Sequence, residues 1–166
     1  MSGRPSANAL AETLVKALAQ RGMTVAAAES CTGGMVTAAI TSVSGASAVL
    51  EYSAVTYANR IKEQMLGVRR ETLSAYGAVS AQTACEMAKG IAAAADADMG
   101  LAITGIAGPT GGTPEKPVGT VYIAVFQNGK CECERLNLLD ECGEDRGAIR
   151  EASVRRVLSL ALKTLT

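Results

Sequence analysis

Helical and strand-like patterns alternate along the whole 166-residue chain, and this alternation constrains its fold more than any other feature. In the first helical segment, Leu10, Leu14 and Leu18 fall on one face. Short apolar or alternating runs predict strands over 23–28, 50–57, 100–105, 118–126 and 130–138. Together they predict an α/β fold with three α/β/α layers and a mixed, mostly parallel sheet.

Cap and turn residues predict where the elements begin and end. Ser6 and Ser80 are suited to cap helices, and Gly22 is placed to end the first of them. Asn59 is predicted to cap a short helix that Gly67 ends. Asn128-Gly129 predicts a two-residue hairpin between the last two strands. Other helices are predicted over 33–43, 70–76, 80–95 and from 144 to the C-terminus.

Composition excludes several classes of protein. The 16 basic and 16 acidic residues give zero net charge, whereas a protein that binds the nucleic-acid backbone needs a basic face. No apolar run reaches the ~18 residues of a membrane span, and the N-terminus lacks a signal-peptide pattern. We therefore expect a cytoplasmic protein with no nucleic-acid or membrane partner, formed by an N-terminal extension over 1–7 and one domain over 8–166.

The five cysteines are odd in number and irregularly spaced, which favours reduced, buried thiols over a disulfide framework. Cys131 and Cys133 fall on one face of a strand, and with Cys142 they could supply three thiolate ligands. Because the chain has no histidine and no CxxC pair, a zinc site is not expected. The sequence predicts no metal and no cofactor.

The absence of histidine also excludes a Ser-His-Asp triad, a Cys-His pair and an imidazole base. An enzyme of this sequence must activate its nucleophile in another way. Lysine can do so when burial or nearby positive charge lowers its pKa. Lys62 lies one turn into the helix that follows the strand ending at Tyr57, although a solvated surface lysine is the commoner case.

A strand is predicted to end, and a helix to begin, within Glu29-Ser30-Cys31-Thr32-Gly33-Gly34. Three adjacent side chains in this turn could act as nucleophiles, and its N–H groups could stabilise an anion. The alternative is a capped helix with glycines for close packing, which the residues alone favour. The residues alone leave open which of Ser30, Cys31 and Thr32 would be the nucleophile.

A second glycine-rich turn, over 105–112, also follows a predicted strand. Ligands bind at the carboxyl ends of strands in open α/β sheets, so both turns are expected at one cleft. On the last helix, Arg146 and Arg150 lie one turn apart and could clamp a phosphate. Alternatively, the loop is only a turn, and the arginines pair with Glu144, Asp145 or Glu151.

Five blocks of sequence carry a family resemblance: AESCTGG at 28–34, VTYANRIKEQMLGV at 55–68, YGAVS at 76–80, ITGIAGPTGG at 103–112 and EKPVGTV at 115–121. In order and spacing they resemble the C-terminal domain of the CinA competence/damage-inducible family, over roughly 8–165. The resemblance implies an α/β/α domain that hydrolyses nicotinamide mononucleotide to nicotinate mononucleotide and ammonia in NAD recycling. It also implies self-association, and a stand-alone form without the molybdopterin-related N-terminal domain of many relatives.

The resemblance also assigns residues. Ser30 corresponds to the family's nucleophile and Lys62 to its base, with Tyr57 beside them, and Thr104 and Arg146 complete the polar site. With this assignment, Ser30 ranks above Thr32 and Thr32 above Cys31, whose side chain should point away from Ser30 if the strand continues. The turn of Cys31, Thr32, Gly33 and Gly34 would then bind the oxyanion of the substrate, and the loop that contains Gly105 and Gly108 would hold the nucleotide together with Arg146. A module that binds the nucleotide without turnover is the alternative, whereas a phosphatase or NTPase is disfavoured because the Walker lysine and a carboxylate cluster are missing.

Overall fold

A computed structural model describes residues 3–166, which form one five-stranded sheet. The strands are β1 (Val25–Glu29), β2 (Leu50–Val55), β3 (Met99–Gly105), β4 (Thr120–Gln127) and β5 (Lys130–Asn137). Their order across the sheet is β2-β1-β3-β4-β5. Only β4 runs against the other four strands, so the predicted mixed, mostly parallel sheet is confirmed.

Helices cover both faces of the sheet, which confirms the three-layer prediction. They are α1 (Ala7–Arg21), α2 (Met35–Thr41), α3 (Asn59–Leu66), α4 (Arg70–Tyr76), α5 (Ala81–Ala95), α6 (Leu139–Cys142) and α7 (Arg146–Thr164), with a 3-10 turn at Ala46–Ala48. One face packs on α1, α2 and α7, and the other on α3 and α5. Along β1, Val25 and Ala27 point to the first face, and Ala26 and Ala28 to the second.

Most predicted caps form, because they depend on local chemistry. Ser6 and Ser80 accept hydrogen bonds from N–H groups three residues later, and Gly22 ends α1 in the left-handed conformation. The prediction for Asn59 is wrong: Ala58 is the extended residue before α3, and its carbonyl accepts the first helical hydrogen bonds. α7 begins two residues later than predicted, because the side chain of Asp145 caps it.

Two glycines allow α5 to lie very close to its neighbours. A Cβ on Gly90 would overlap the carbonyl of Leu66 in α3, and one on Gly100 would overlap the carbonyl of Ala88 in α5. These approaches hold α3 tightly beside the second face of the sheet. Lys62 lies on α3, so this packing contributes to its position.

A disulfide joins Cys85 on α5 to Cys131 on β5, with the Cα atoms 5.9 Å apart. The expectation of reduced thiols is therefore wrong for this pair, because α5 packs against β5 and brings together cysteines distant in sequence. Cys31, Cys133 and Cys142 are free thiols. Within the described residues, no helix is long and apolar enough to cross a bilayer. Of the predicted extension over 1–7, Met1 and Ser2 lie outside those residues.

Reduction of the Cys85–Cys131 bond is expected to lower the free energy of unfolding by about 2–4 kcal/mol, because the cross-link constrains the unfolded chain. Urea unfolding with and without a phosphine reductant measures the change. The carboxyl end of β1 should keep its structure, because Cys131 lies opposite Phe126, at the other end of the sheet. The Cys85→Ala variant is the control: a reductant effect of equal size in that variant would contradict the prediction.

Candidate active site

Hydroxyl-bearing residues lie side by side at the carboxyl ends of β1, β2 and β3. Ser30 follows β1 and donates its N–H to the carbonyl of Ile103 (3.1 Å), while Thr56 follows β2 and donates its N–H to the carbonyl of Glu29 (2.9 Å). Side chains alternate along a strand, so Ser30 and Thr104 continue the face begun by Ala28 and Ala102. That face is the one covered by α3 and α5.

Lys62 reaches this row of hydroxyls from the first turns of α3. Its side chain is almost entirely buried, at 1% exposure. Nζ donates to the carbonyls of Thr56 (2.7 Å) and Tyr57 (3.1 Å) and lies 3.4 Å from Oγ of Ser30. Burial lowers the pKa of Lys62 below its ordinary value of 10.5, and no carboxylate within residues 3–166 forms an ion pair with it.

The partners of Lys62 suit a neutral amine that acts as a base. A neutral amine has two N–H groups and one lone pair. As an ammonium, Nζ donates to all three oxygens, including Oγ of Ser30; once neutral, it can keep its two N–H groups on the carbonyls, which leaves the lone pair for Oγ of Ser30. A separation of 3.4 Å is long for proton transfer, but such contacts commonly tighten when substrate binds.

The other two candidate nucleophiles do not face Lys62. Cys31 points to the opposite face, into the apolar cluster beneath α1, α2 and α7, and burial raises the pKa of its thiol to about 11. Thr32 is fully buried and donates its hydroxyl to Oε1 of Glu29 (2.7 Å). Ser30 is half-buried, so it alone of the three combines access with proximity to the lysine.

The buried side chain of Glu29 holds the turn in place through hydrogen bonds, a role that the sequence analysis did not predict. Its buried carboxylate accepts hydrogen bonds from the hydroxyl of Thr32, the N–H of Val36, and both the N–H and hydroxyl of Thr37. These contacts tie the start of α2 to the end of β1. The sequence feature that could have indicated this role is a charged residue at the end of an otherwise apolar strand.

Arg146 connects two other predicted site residues at the rim of the cleft. Its guanidinium donates to the carbonyl of Gly108 (2.7 Å) and to Oη of Tyr57 (3.3 Å). The side chain of Tyr57 is largely exposed, and its carbonyl accepts from Lys62. Tyr57 therefore touches the lysine through its backbone and Arg146 through its phenol.

The two arginines that could clamp a phosphate contact different turns. Arg150 donates to the carbonyls of Cys31 (2.9 Å) and Thr32 (3.3 Å), whereas Arg146 contacts the loop after β3. Both arginines lie on the same side of α7. The glycine-rich turn after β1 lies against Arg150, and the glycine-rich turn after β3 lies against Arg146. In the described part of the chain, neither forms the alternative ion pairs with Glu144, Asp145 or Glu151.

Three predicted substrate-binding residues also have structural contacts. Thr104 is buried and donates its hydroxyl to the carbonyl of Ala78 (2.8 Å). A Cβ on Gly105 would lie 2.6 Å from a methyl group of Val121, and a Cβ on Gly108 would overlap Val118. Packing against β4 therefore requires glycine at position 105, and packing against the segment that leads into β4 requires glycine at position 108.

The sequence of the chain matches the model of the CinA C-terminal domain over residues 7–165. The chain belongs to the CinA C-terminal domain family. Among its relatives, a CinA-like protein of Kosmotoga olearia is 49% identical over 156 residues, which are 94% of this chain and 37% of that protein. A CinA-like protein of Citrifermentans bemidjiense is 52% identical over 126 residues, which are 76% of this chain and 30% of the relative. The CinA domain described here therefore spans between a quarter and two fifths of these relatives.

Solved structures of CinA proteins share the whole fold. The competence/damage inducible protein CihA of Agrobacterium tumefaciens superposes with a TM-score of 0.91 at 42% identity, covering 99% of both chains. A CinA superfamily protein of Enterobacter cloacae has a TM-score of 0.93 at 32% identity, covering 100% of this chain and 96% of its own. The α/β/α architecture is thus the CinA-superfamily fold.

The long loop of this CinA domain, residues 106–119, is anchored to several neighbouring elements. Besides the contact from Arg146, Lys116 donates to the carbonyl of Tyr76 (2.8 Å) and Arg135 donates to the carbonyl of Glu115 (3.2 Å). The loop therefore links α7, the end of α4 and β5. These anchors limit the positions from which its backbone can reach a ligand.

Proposed function

We propose that this chain hydrolyses the carboxamide of nicotinamide mononucleotide to nicotinate mononucleotide and ammonia. The observation that carries the proposal is the buried Nζ of Lys62, 3.4 Å from Oγ of Ser30, with burial lowering the pKa of the amine. The choice of substrate comes from the family resemblance. The names of the relatives refer to CinA or to competence and damage induction, and to no reaction.

In the proposed reaction, Oγ of Ser30 attacks the carboxamide carbon while neutral Lys62 takes the hydroxyl proton. The tetrahedral intermediate carries an oxyanion, for which the N–H groups of Cys31 and Thr32 are candidate donors, because neither donates to another residue among residues 3–166. Lys62 then returns the proton to the leaving ammonia, and the C–N bond breaks. Water attacks the resulting ester with Lys62 again as base, which releases the carboxylate and restores Ser30.

A phosphorylated substrate is favoured by the charge at the rim of the cleft. Arg146 is exposed, and within the described residues no carboxylate neutralises it. Its two hydrogen bonds go to neutral oxygens, so a phosphate can compete for its remaining N–H groups. The same arginine donates to the phenol of Tyr57, and the carbonyl of Tyr57 accepts a hydrogen bond from Lys62.

The test is an ammonia-release assay over nicotinamide mononucleotide, the dinucleotide and free nicotinamide. We expect the mononucleotide to be the best substrate, with kcat/KM for free nicotinamide lower by about 10- to 100-fold or more, because a charge-assisted phosphate contact is worth about 1.5–3 kcal/mol. The Arg146→Gln variant should lose most of this preference. Turnover of free nicotinamide but not of the mononucleotide would contradict the substrate assignment. A rise in Tm with the mononucleotide but no ammonia would instead favour the binding-module alternative.

We also propose, from the sequence and the family resemblance, that the chain acts in the cytoplasm and self-associates. The proposed chemistry does not depend on self-association, because Ser30, Lys62 and Arg146 all come from one chain. The scheme uses neither a metal nor a cofactor. A dilution series in the ammonia assay tests this independence, since a rate per subunit that falls on dilution would require residues from a second copy.

A further inference from the structure

The backbone of the turn after β1 presents two adjacent N–H groups beside Ser30. The carbonyl of Ser30 accepts a hydrogen bond from the N–H of Gly33 (3.0 Å), which holds the first peptide unit of the turn. Within residues 3–166, the N–H groups of Cys31 and Thr32 donate to no other residue. Buried backbone N–H groups without a partner residue are rare in folded proteins, and here two consecutive residues carry them.

Arg150 on α7 fixes the next two peptide units. Its Nε donates to the carbonyl of Cys31 (2.9 Å), and Nη2 donates to the carbonyl of Thr32 (3.3 Å). A trans peptide is planar, with its C=O and N–H pointing in opposite directions. Holding the carbonyl of Cys31 therefore sets the direction of the N–H of Thr32.

The guanidinium also strengthens the donor that it orients. A positive charge at a carbonyl oxygen polarises the peptide, which makes the N–H on the other side a better donor. Among the described residues, no carboxylate pairs with Arg150, so its charge is directed at the turn alone. Gly33 leaves room for the guanidinium, because a Cβ at this position would lie only 3.3 Å from Nη2 of Arg150. Its φ of +56° is also a left-handed conformation that favours glycine.

We propose that Arg150 is a positioning residue that sets the oxyanion-binding geometry of this turn: it orients the Thr32 N–H directly, and it acts on the Cys31 N–H through the peptide of Gly33, whose N–H holds the carbonyl of Ser30. This inference rests on the proposed amide hydrolysis for its catalytic consequence. Arg150 touches neither Ser30 Oγ nor Lys62 in the described structure; it acts through the peptide units that it holds. Its contribution belongs to the transition state, because the N–H groups are needed most when the carbonyl oxygen becomes charged.

Arg150→Gln should lower kcat for ammonia release by about 10- to 100-fold while KM stays within about two-fold, since loss of one oxyanion donor costs up to a thousand-fold. Arg150→Lys should recover part of kcat, because an ammonium can still reach one carbonyl. The pH dependence of kcat/KM should keep its wild-type midpoint, as Lys62 is unchanged. Arg156→Gln is the matched control: this exposed arginine lies on the same helix, and its substitution removes the same charge.

A second measurement separates this inference from the proposed function. In ¹⁵N relaxation experiments, the Cys31 and Thr32 amides should be rigid in the wild type, with order parameters near 0.85, and fall towards about 0.6 in Arg150→Gln but not in Arg156→Gln. If the wild type releases no ammonia, the proposed function fails, and these order parameters alone decide whether Arg150 holds the turn. Unchanged order parameters, an unchanged kcat, or an equal loss in Arg156→Gln would each overturn the role of Arg150.

Discussion

Ser30→Ala is expected to lower kcat for ammonia release by at least about a thousand-fold, because removing a covalent nucleophile leaves only the rate due to binding and oxyanion stabilisation. The substitution removes one oxygen at a half-buried position, and the backbone contacts of the turn do not depend on it. Circular dichroism and Tm should therefore match those of the wild type. Steady-state ammonia release from nicotinamide mononucleotide is the measurement.

Ser74→Ala is the control for this substitution, since Ser74 is exposed on α4. It should leave the rate unchanged. The rival nucleophiles can be tested in the same assay. If Ser30→Ala kept wild-type activity while Thr32→Ala or Cys31→Ala lost it, the assignment of Ser30 would be wrong.

Lys62→Met is expected to lower kcat/KM by about 100- to 10,000-fold, the usual contribution of a general base. Methionine can fill the buried space of the lysine stem, but it cannot accept the proton of Ser30. Lys89→Met is the matched control, because Lys89 is exposed on α5. Retention of wild-type activity by Lys62→Met would exclude the Ser-Lys mechanism.

The pH dependence provides a separate test of the same base. Since burial lowers the pKa of Lys62 below 10.5, kcat/KM of the wild type should rise with pH as the folded enzyme loses this proton, at a pH below 10.5. The residual activity of Lys62→Met should lack this rise. A wild-type rate that stays constant down to acidic pH would contradict a neutral-lysine base.

Stability should follow the same titration. Between the lowered pKa in the folded state and 10.5, the unfolded chain binds the proton and the folded chain does not. The unfolding free energy of the wild type should therefore rise with pH in this window, relative to Lys62→Met, by up to about 1.4 kcal/mol per pH unit. The rise with pH means that, at neutral pH, burial of the lysine lowers the free energy of unfolding.

Local patterns predicted the elements that depend on local chemistry. The serine caps of α1 and α5, the glycine at the end of α1 and the Asn128-Gly129 hairpin all form as expected. The cap of α3 was mispredicted, because this helix begins without a side-chain cap: Ala58 precedes it and Asn59 is its first residue. The disulfide was missed for a different reason: Cys85 and Cys131 meet only because α5 packs against β5.

The sequence by itself determined the α/β class and the exclusion of an imidazole base, and it marked the carboxyl end of β1 as a candidate position for a nucleophile. These conclusions follow from periodicity, turn chemistry and composition, which are local or additive. Only the tertiary structure decided that Lys62 is buried against Ser30, that Cys31 faces away, and that Arg150 holds the turn. Those facts depend on burial and on contacts between residues 32 to 119 positions apart, which no local pattern encodes.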